Sequence, residues 1–212
     1  MTRKVTVVDY GCGNLLSVSR GLEESGGTVD VTTDADKIAN AERLVLPGVG
    51  AFGKAMQAMR DGGLEAPIKA FVGTGRPFLG ICVGMQAMLD YSEEFGRHQG
   101  LGLVPGHVAG IPATAEDGTP HPIPHIGWNR LIKPAAGWDG GILDGQDEGV
   151  AVYFVHSFAA APDDEGDVLA TCDYNGRPIT AAIAKDNMTG CQFHPEKSGP
   201  VGLRILEQFL SD

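Results

Sequence analysis

Short apolar runs alternate with helix-periodic segments through the first half of the chain, and this rhythm limits the fold more than any other feature. "KVTVVD" (4–9) reads as a buried strand, and "NLLSVSRGLEES" (14–25) as a helix capped by Asn14. The strands "TVDVTT" (28–33) and "RLVLPG" (43–48) follow, then helical "AFGKAMQAMRDGG" (51–63) and "LEAPIKAFVG" (64–73), then the strand "PFLGIC" (77–82). Strand–helix–strand at this spacing needs crossovers between parallel strands. The expectation is an α/β sheet with helices on both faces.

The second half changes character. From Gly96 to His125 glycine and proline dominate and periodicity is weak, so this stretch reads as irregular and functional rather than filler. Strands are expected at 128–133, 150–158, 168–174, 179–186 and 188–194. The turns "YNGRP" (174–178) and "KDNMTG" (185–190) are short enough to make several of them antiparallel. "VGLRILEQFLSD" (201–212) closes the chain as a helix. The 212 residues show no repeat and no linker, so the reading is a single domain, 1–212, with a mixed and mostly parallel sheet.

Composition narrows the function. A net charge of −11 disfavours nucleic acid or an anionic membrane as partner. No apolar run approaches the ~18 residues that span a bilayer, and "MTRKVTVVDY" has no secretory pattern. The cysteines (12, 82, 172, 191) never form CxxC and read as reduced thiols of a cytoplasmic protein. His121 and His125 have an i,i+4 spacing, but prolines at 120, 122 and 124 forbid the helix that would use it, so no metal is expected. "DYGCGNL" (9–15) fails the dinucleotide pattern because Leu16 stands where its third glycine belongs, and reads as a tight turn.

The chemistry gathers at "GICVG" (80–84). An ordinary buried cysteine needs no flanking glycines; a thiol at a sharp strand-to-helix turn does. Strand, G-x-C-x-G, then a helix starting near Met85 is the thiol form of a nucleophile elbow, and it places Cys82 at the carboxyl edge of the sheet. A helix terminus alone activates a thiol only modestly and supplies no proton to a leaving group. "QFHPEKS" (192–198) offers His194 at a strand end with Glu196 two residues on, on the same side if the chain stays extended through Pro195. An oxyanion needs donors. The Val83 N–H is one, and the glycine loop "LPGVGAFG" (46–53), with Val49 between Gly48 and Gly50, is positioned to give another. His156, in "YFVHSF", reads as a structural histidine.

Together "DYGCGN", "LPGVGAFG", "GICVGMQ", "PHIGWN", "YFVHSF" and "GCQFHPEKSG" resemble the class I (triad) glutamine amidotransferases over essentially the whole chain. Within that class the combination is similar to the glutaminase subunits of imidazole glycerol phosphate synthase. The resemblance implies the class I (flavodoxin-like) fold and hydrolysis of L-glutamine without a cofactor. It implies a Cys82–His194–Glu196 triad, an oxyanion hole from Val83 and the Val49–Gly50 peptide, and substrate contacts from Gln86, Gly50, Ser157 and Phe158. It also implies a heterodimer with a (β/α)8-barrel cyclase that takes the ammonia, with Asn14, Trp128, Tyr153 and Lys197 at the interface. Two other readings stay open at this stage: an amidotransferase serving another pathway, and an elbow-cysteine protein of the redox-stress or small-peptidase kind, which needs no downstream His–Glu pair.

Overall fold

The computed structural model describes residues 3–211. Met1, Thr2 and Asp212, at the ends of the N-terminal stretch and of the expected last helix, lie outside the described residues. The first half forms β1 (Arg3–Val8), α1 (Leu15–Glu24), β2 (Gly27–Thr32), α2 (Ala35–Ala39), β3 (Leu44–Gly48), α3 (Phe52–Asp61), α4 (Glu65–Val72) and β4 (Phe78–Cys82). Then come α5 (Val83–Gln86), β5 (Leu89–Ser92), β6 (His98–Gln99), β7 (Val104–Gly110), β8 (His125–Arg130), β9 (Ala151–His156) and β10 (Phe158–Pro162). The chain ends with β11 (Val168–Tyr174), β12 (Arg177–Lys185), β13 (Met188–Cys191), a 3-10 turn at Pro195–Lys197 and α6 (Gly199–Ser211).

A seven-stranded sheet in the order β11-β12-β13-β4-β3-β1-β2 carries the architecture. The strands from β13 to β2 run parallel, while β11 and β12 are antiparallel to their neighbours. Every residue of β3 and β4 is buried, which requires cover on both faces; α1 packs against α6, and α2 against α4. Asn14 caps α1 as expected, its side chain accepting from the Ser17 N–H. The mixed α/β sheet anticipated from the sequence is present.

Several boundaries move, each for a physical reason. The sequence reading missed α2, a five-residue helix capped by Asp34 and too short to show periodicity. The elbow helix begins at Val83 rather than near Met85 and lasts four residues before β5. The stretch from Gly96 is not irregular throughout. β6 and β7 lie within it, in a four-stranded sheet of order β10-β7-β5-β6. β7 does alternate buried and exposed residues, but Pro105 and Gly106 hide the strand signature in "VPGHVAG". A strand expected at 128–133 starts instead at His125 and pairs with β9 as a two-stranded sheet. The run expected as one strand, 150–158, breaks at Ser157: β9 pairs with β8, whereas β10 pairs with β7 in the other sheet. The last strand stops at Cys191, short of the expected 194.

Candidate active site

Cys82 ends β4 with φ +54° and ψ −111°, a conformation that L residues avoid. Close packing holds it there. A Cβ on Gly84 would lie 1.8 Å from the Leu46 carbonyl oxygen, so only glycine lets the elbow sit this tightly on β3. Register then decides the neighbours. Gly48 pairs with Cys82 on one side, and Cys191 pairs with Ile81 on the other, so the chain leaving β13 passes the thiol with Gln192, Phe193 and His194.

His194 and Glu196 meet, though not by the expected route. Pro195–Lys197 is a 3-10 turn, not extended chain, and the turn folds the Glu196 carboxylate back until Oε1 lies 2.8 Å from His194 Nδ1. Both side chains are almost wholly buried. The backbone around them is pinned: His194 N–H donates to the Tyr153 carbonyl at 2.9 Å, and Ser198 Oγ donates to the His194 carbonyl at 2.6 Å. His194 Nε2 makes no hydrogen bond to the described residues. Burial opposes charge on this ring, but the Cys82 thiol and the Glu196 carboxylate together outweigh it and raise His194 to about 9. Cys82 and His194 border the same cavity, and a hydrogen bond between such groups often tightens only around substrate.

A cavity of about 290 Å³ opens over these groups. Val49, Gly50, Cys82, Val83 and Gln86 line it from the elbow side, with His194, Ser157 and Phe158 facing them. All the residues anticipated for the nucleophile, oxyanion and substrate roles, except Glu196 behind His194, thus border one space. Val83 is the first residue of α5, where N–H groups have no partner within the helix. Gly50 adopts φ +93° with open space where a Cβ would be, which frees its peptide to turn.

The side chains missed by sequence reasoning are polar groups whose partners are remote in sequence. Glu94 lines the cavity and accepts the Phe52 N–H at 2.5 Å, yet in "SEEFG" nothing separates it from Glu93. Gln192 is fully buried, with Nε2 3.7 Å from Cys82 Sγ. Gln86 Nε2 donates to Gln192 Oε1 at 3.0 Å and to the Phe158 carbonyl at 2.9 Å, leaving its own oxygen free to face a ligand. His156, expected to be structural, is hydrogen-bonded through both nitrogens but also lines the cavity.

The residues expected at a partner interface are exposed or half-buried. Trp128 and Tyr153 are paired across the β8–β9 ladder with rings 6.1 Å apart, edge to face. Trp128 is 59% exposed, with Ile126 beside it on the outer face of β8 at 58%. Asn14 and Lys197 are exposed on elements that touch each other, the start of α1 and the 3-10 turn. The four cysteines are free thiols, and burial pushes Cys172 up to about 12. No group of three or more metal-ligating side chains converges among the described residues. No helix among them is long and apolar enough to cross a membrane.

A strained thiol at the sheet edge, a buried histidine–carboxylate pair and a glycine loop bordering the same cavity have the arrangement that an elbow-type acyl-transfer site requires. Residues 6–212 match the family model "Glutamine amidotransferase class-I", and the chain belongs to that family of enzymes. It is 50% identical over 208 residues to imidazole glycerol phosphate synthase subunit HisH 1 of Legionella pneumophila (strain Lens), covering 97% of this chain and 98% of that one. The corresponding HisH subunit of Geobacter sulfurreducens is 48% identical over 210 residues, 97% of each chain. Among solved structures, PurLQS from Thermotoga maritima superposes with a TM-score of 0.75 at 20% identity, covering 100% of this chain and 99% of that one. At that identity the likeness speaks to the fold.

Proposed function

We propose that this chain is the glutaminase subunit of an imidazole glycerol phosphate synthase acting in L-histidine biosynthesis. The observation that carries the reading is the shared cavity in which the strained Cys82 stands against the buried His194–Glu196 pair. Relatives at 50% and 48% identity along nearly their whole length point to the histidine pathway rather than another amidotransferase.

His194 Nε2 takes the proton of the Cys82 thiol as Sγ attacks the carboxamide carbon of L-glutamine. The N–H groups of Val83 and the Val49–Gly50 peptide hold the oxyanion. The C–N bond breaks as His194 gives its proton from Nε2 to the departing ammonia, leaving a γ-glutamyl thioester. His194 then takes a proton from water, whose oxygen attacks the thioester carbon; the C–S bond breaks, glutamate is released, and His194 returns the proton to Cys82 Sγ. Glu196 keeps Nδ1 occupied, so that Nε2 is always the nitrogen facing the reaction. Gln86, with backbone from Gly50, Ser157 and Phe158, holds the amino-acid end of the substrate, and the Glu94 carboxylate supplies the negative charge that its α-ammonium calls for.

The ammonia passes to a (β/α)8-barrel cyclase subunit in a heterodimer, where imidazole glycerol phosphate and aminoimidazole carboxamide ribonucleotide are made in the cytoplasm. Trp128, with Tyr153, Asn14 and Lys197, forms the docking face. An exposed tryptophan beside an exposed isoleucine is the kind of anchor that dominates interface energetics.

The test is glutamate release by the chain alone, then with the cyclase subunit, then with the cyclase's nucleotide ligand as well. Cys82→Ala serves as the blank and is expected to lose at least about 10⁴-fold in rate. Strong release only in the complete mixture supports the assignment. Release indifferent to the cyclase moves the glutaminase to another partner, and no release under any condition rejects it.

A further inference from the structure

We propose that His125 and His156 are positioning residues for the glutamine site, joined as two neutral imidazoles in a directional hydrogen-bond chain that fixes the Phe158 carbonyl. The inference rests on the glutaminase reading and adds residues to it that no side-chain contact with the substrate requires.

The direction of the chain follows from its ends. The Phe158 carbonyl can only accept, so His156 Nδ1, 2.9 Å away, is the donor. In a neutral ring Nε2 must then accept, and its partner is His125 Nδ1 at 3.0 Å. His125 therefore carries its proton on Nδ1 as well, and its Nε2 accepts from Asn129 Nδ2 at 3.3 Å. Asn129 cannot flip, because Nδ2 also donates to the Asp173 carbonyl at 2.7 Å and Oδ1 accepts the Arg130 N–H at 2.7 Å. Backbone groups thus set the polarity at both ends. A second proton on either ring would bring two N–H groups face to face. Burial independently lowers both rings to about 4.

The far end of the chain enters the site. The Phe158 carbonyl also accepts from Gln86 Nε2, which holds Gln192 Oε1, and Gln192 Nε2 approaches Cys82 Sγ. His156, Ser157 and Phe158 all border the cavity. They lie where the chain leaves the β8–β9 sheet for β10; there the Ser157 carbonyl accepts the Ile111 N–H at 2.9 Å, whereas the Phe158 carbonyl is held by two side chains, His156 Nδ1 and Gln86 Nε2. A pair serving only to fill space would be better replaced by apolar rings, since His125 already stacks between Phe154 (4.9 Å) and Tyr174 (4.2 Å). Fully partnered buried imidazoles with one permitted polarity serve orientation instead.

His125→Phe keeps the stack and removes the donor. In the complex with the cyclase subunit, this variant is expected to raise KM for glutamine about tenfold, the size of one lost hydrogen bond, with kcat within about threefold. Alkylation of Cys82 by iodoacetamide should stay within about twofold of the unaltered chain, because the thiol itself is not moved. His125→Asn, whose amide nitrogen falls where Nδ1 sat, should recover most of the KM. Nitrogen-15 spectra of the unaltered chain at pH 7 should show both imidazoles neutral and protonated on Nδ1. A KM within twofold for the folded Phe variant, or either ring found charged or protonated on Nε2, overturns the proposal. If His125→Phe does not fold, the Asn variant and the spectra decide. If the unaltered complex releases no glutamate, the glutaminase reading falls and the chain of imidazoles is judged by its tautomers alone.

Discussion

At the scale of single residues, the site depends on conformations and proton positions that the surrounding fold imposes. Cys82 sits at φ +54°, which costs a residue with a Cβ about 1–3 kcal/mol and glycine almost nothing. Cys82→Gly and Cys82→Ala should both be inactive, yet the glycine variant should be the more stable by about 1 kcal/mol in denaturant titrations; equal midpoints would mean that the elbow is unstrained. Glu196 acts through charge and geometry at once. With the carboxylate gone, one of the groups that raise His194 to about 9 is lost, so the imidazolium gives up its proton at lower pH. Glu196→Gln should therefore move the alkaline limb of the glutaminase pH profile toward neutrality and lower kcat by about 10²–10⁴-fold. An unmoved limb would show that the carboxylate does not tune the base.

Elements place these residues, and two placements matter most. The carbonyl oxygen of Pro195 lies so close to α6 that a Cβ on Gly202 would fall 1.8 Å from it. An alanine inside an exposed helix normally gains about 1 kcal/mol over glycine. Here the obstacle is backbone, which cannot rotate aside, and overpacking of this kind costs about 1–3 kcal/mol. The second effect wins: Gly202→Ala should destabilise the protein and push the Pro195–Lys197 turn, with Glu196 on it, away from His194. Thermal unfolding together with kcat would check this, and a more stable, fully active variant would contradict it. The break of one apolar run into β9 and β10 is the other decisive placement, because it brings Ser157 and Phe158 to the cavity wall. Nothing in "VYFVHSF" marks that break, since both halves are equally apolar and the switch of partner lies in the β7 and β8 ladders.

Across the whole molecule, the buried imidazole pair makes stability sensitive to acid. Each ring takes a proton near 6.5 when unfolded but only near 4 when folded. Between those values the unfolded chain holds more protons, so stability is fully present above about 6.5 and declines as pH falls toward 4. His121 beside His125, and His125 and His194 beside His156, act in the same direction. Melting temperatures measured from pH 7 to 4.5 should fall, and fall less steeply in a His125→Phe variant; parallel profiles would exclude the pair as the cause. The sequence alone determined the alternation of strands and helices, the glycine-boxed cysteine and the His-x-Glu spacing. These are written in sterics and periodicity over a few neighbouring residues. Tertiary structure alone decided what stands around them. Gln192 reaches Cys82 across 110 positions, Gln86 reaches Phe158 across 72, and Glu94 enters the cavity from a loop that looks merely acidic. Such meetings depend on strand order and register, which follow from how the whole core packs and leave no local trace in the chain.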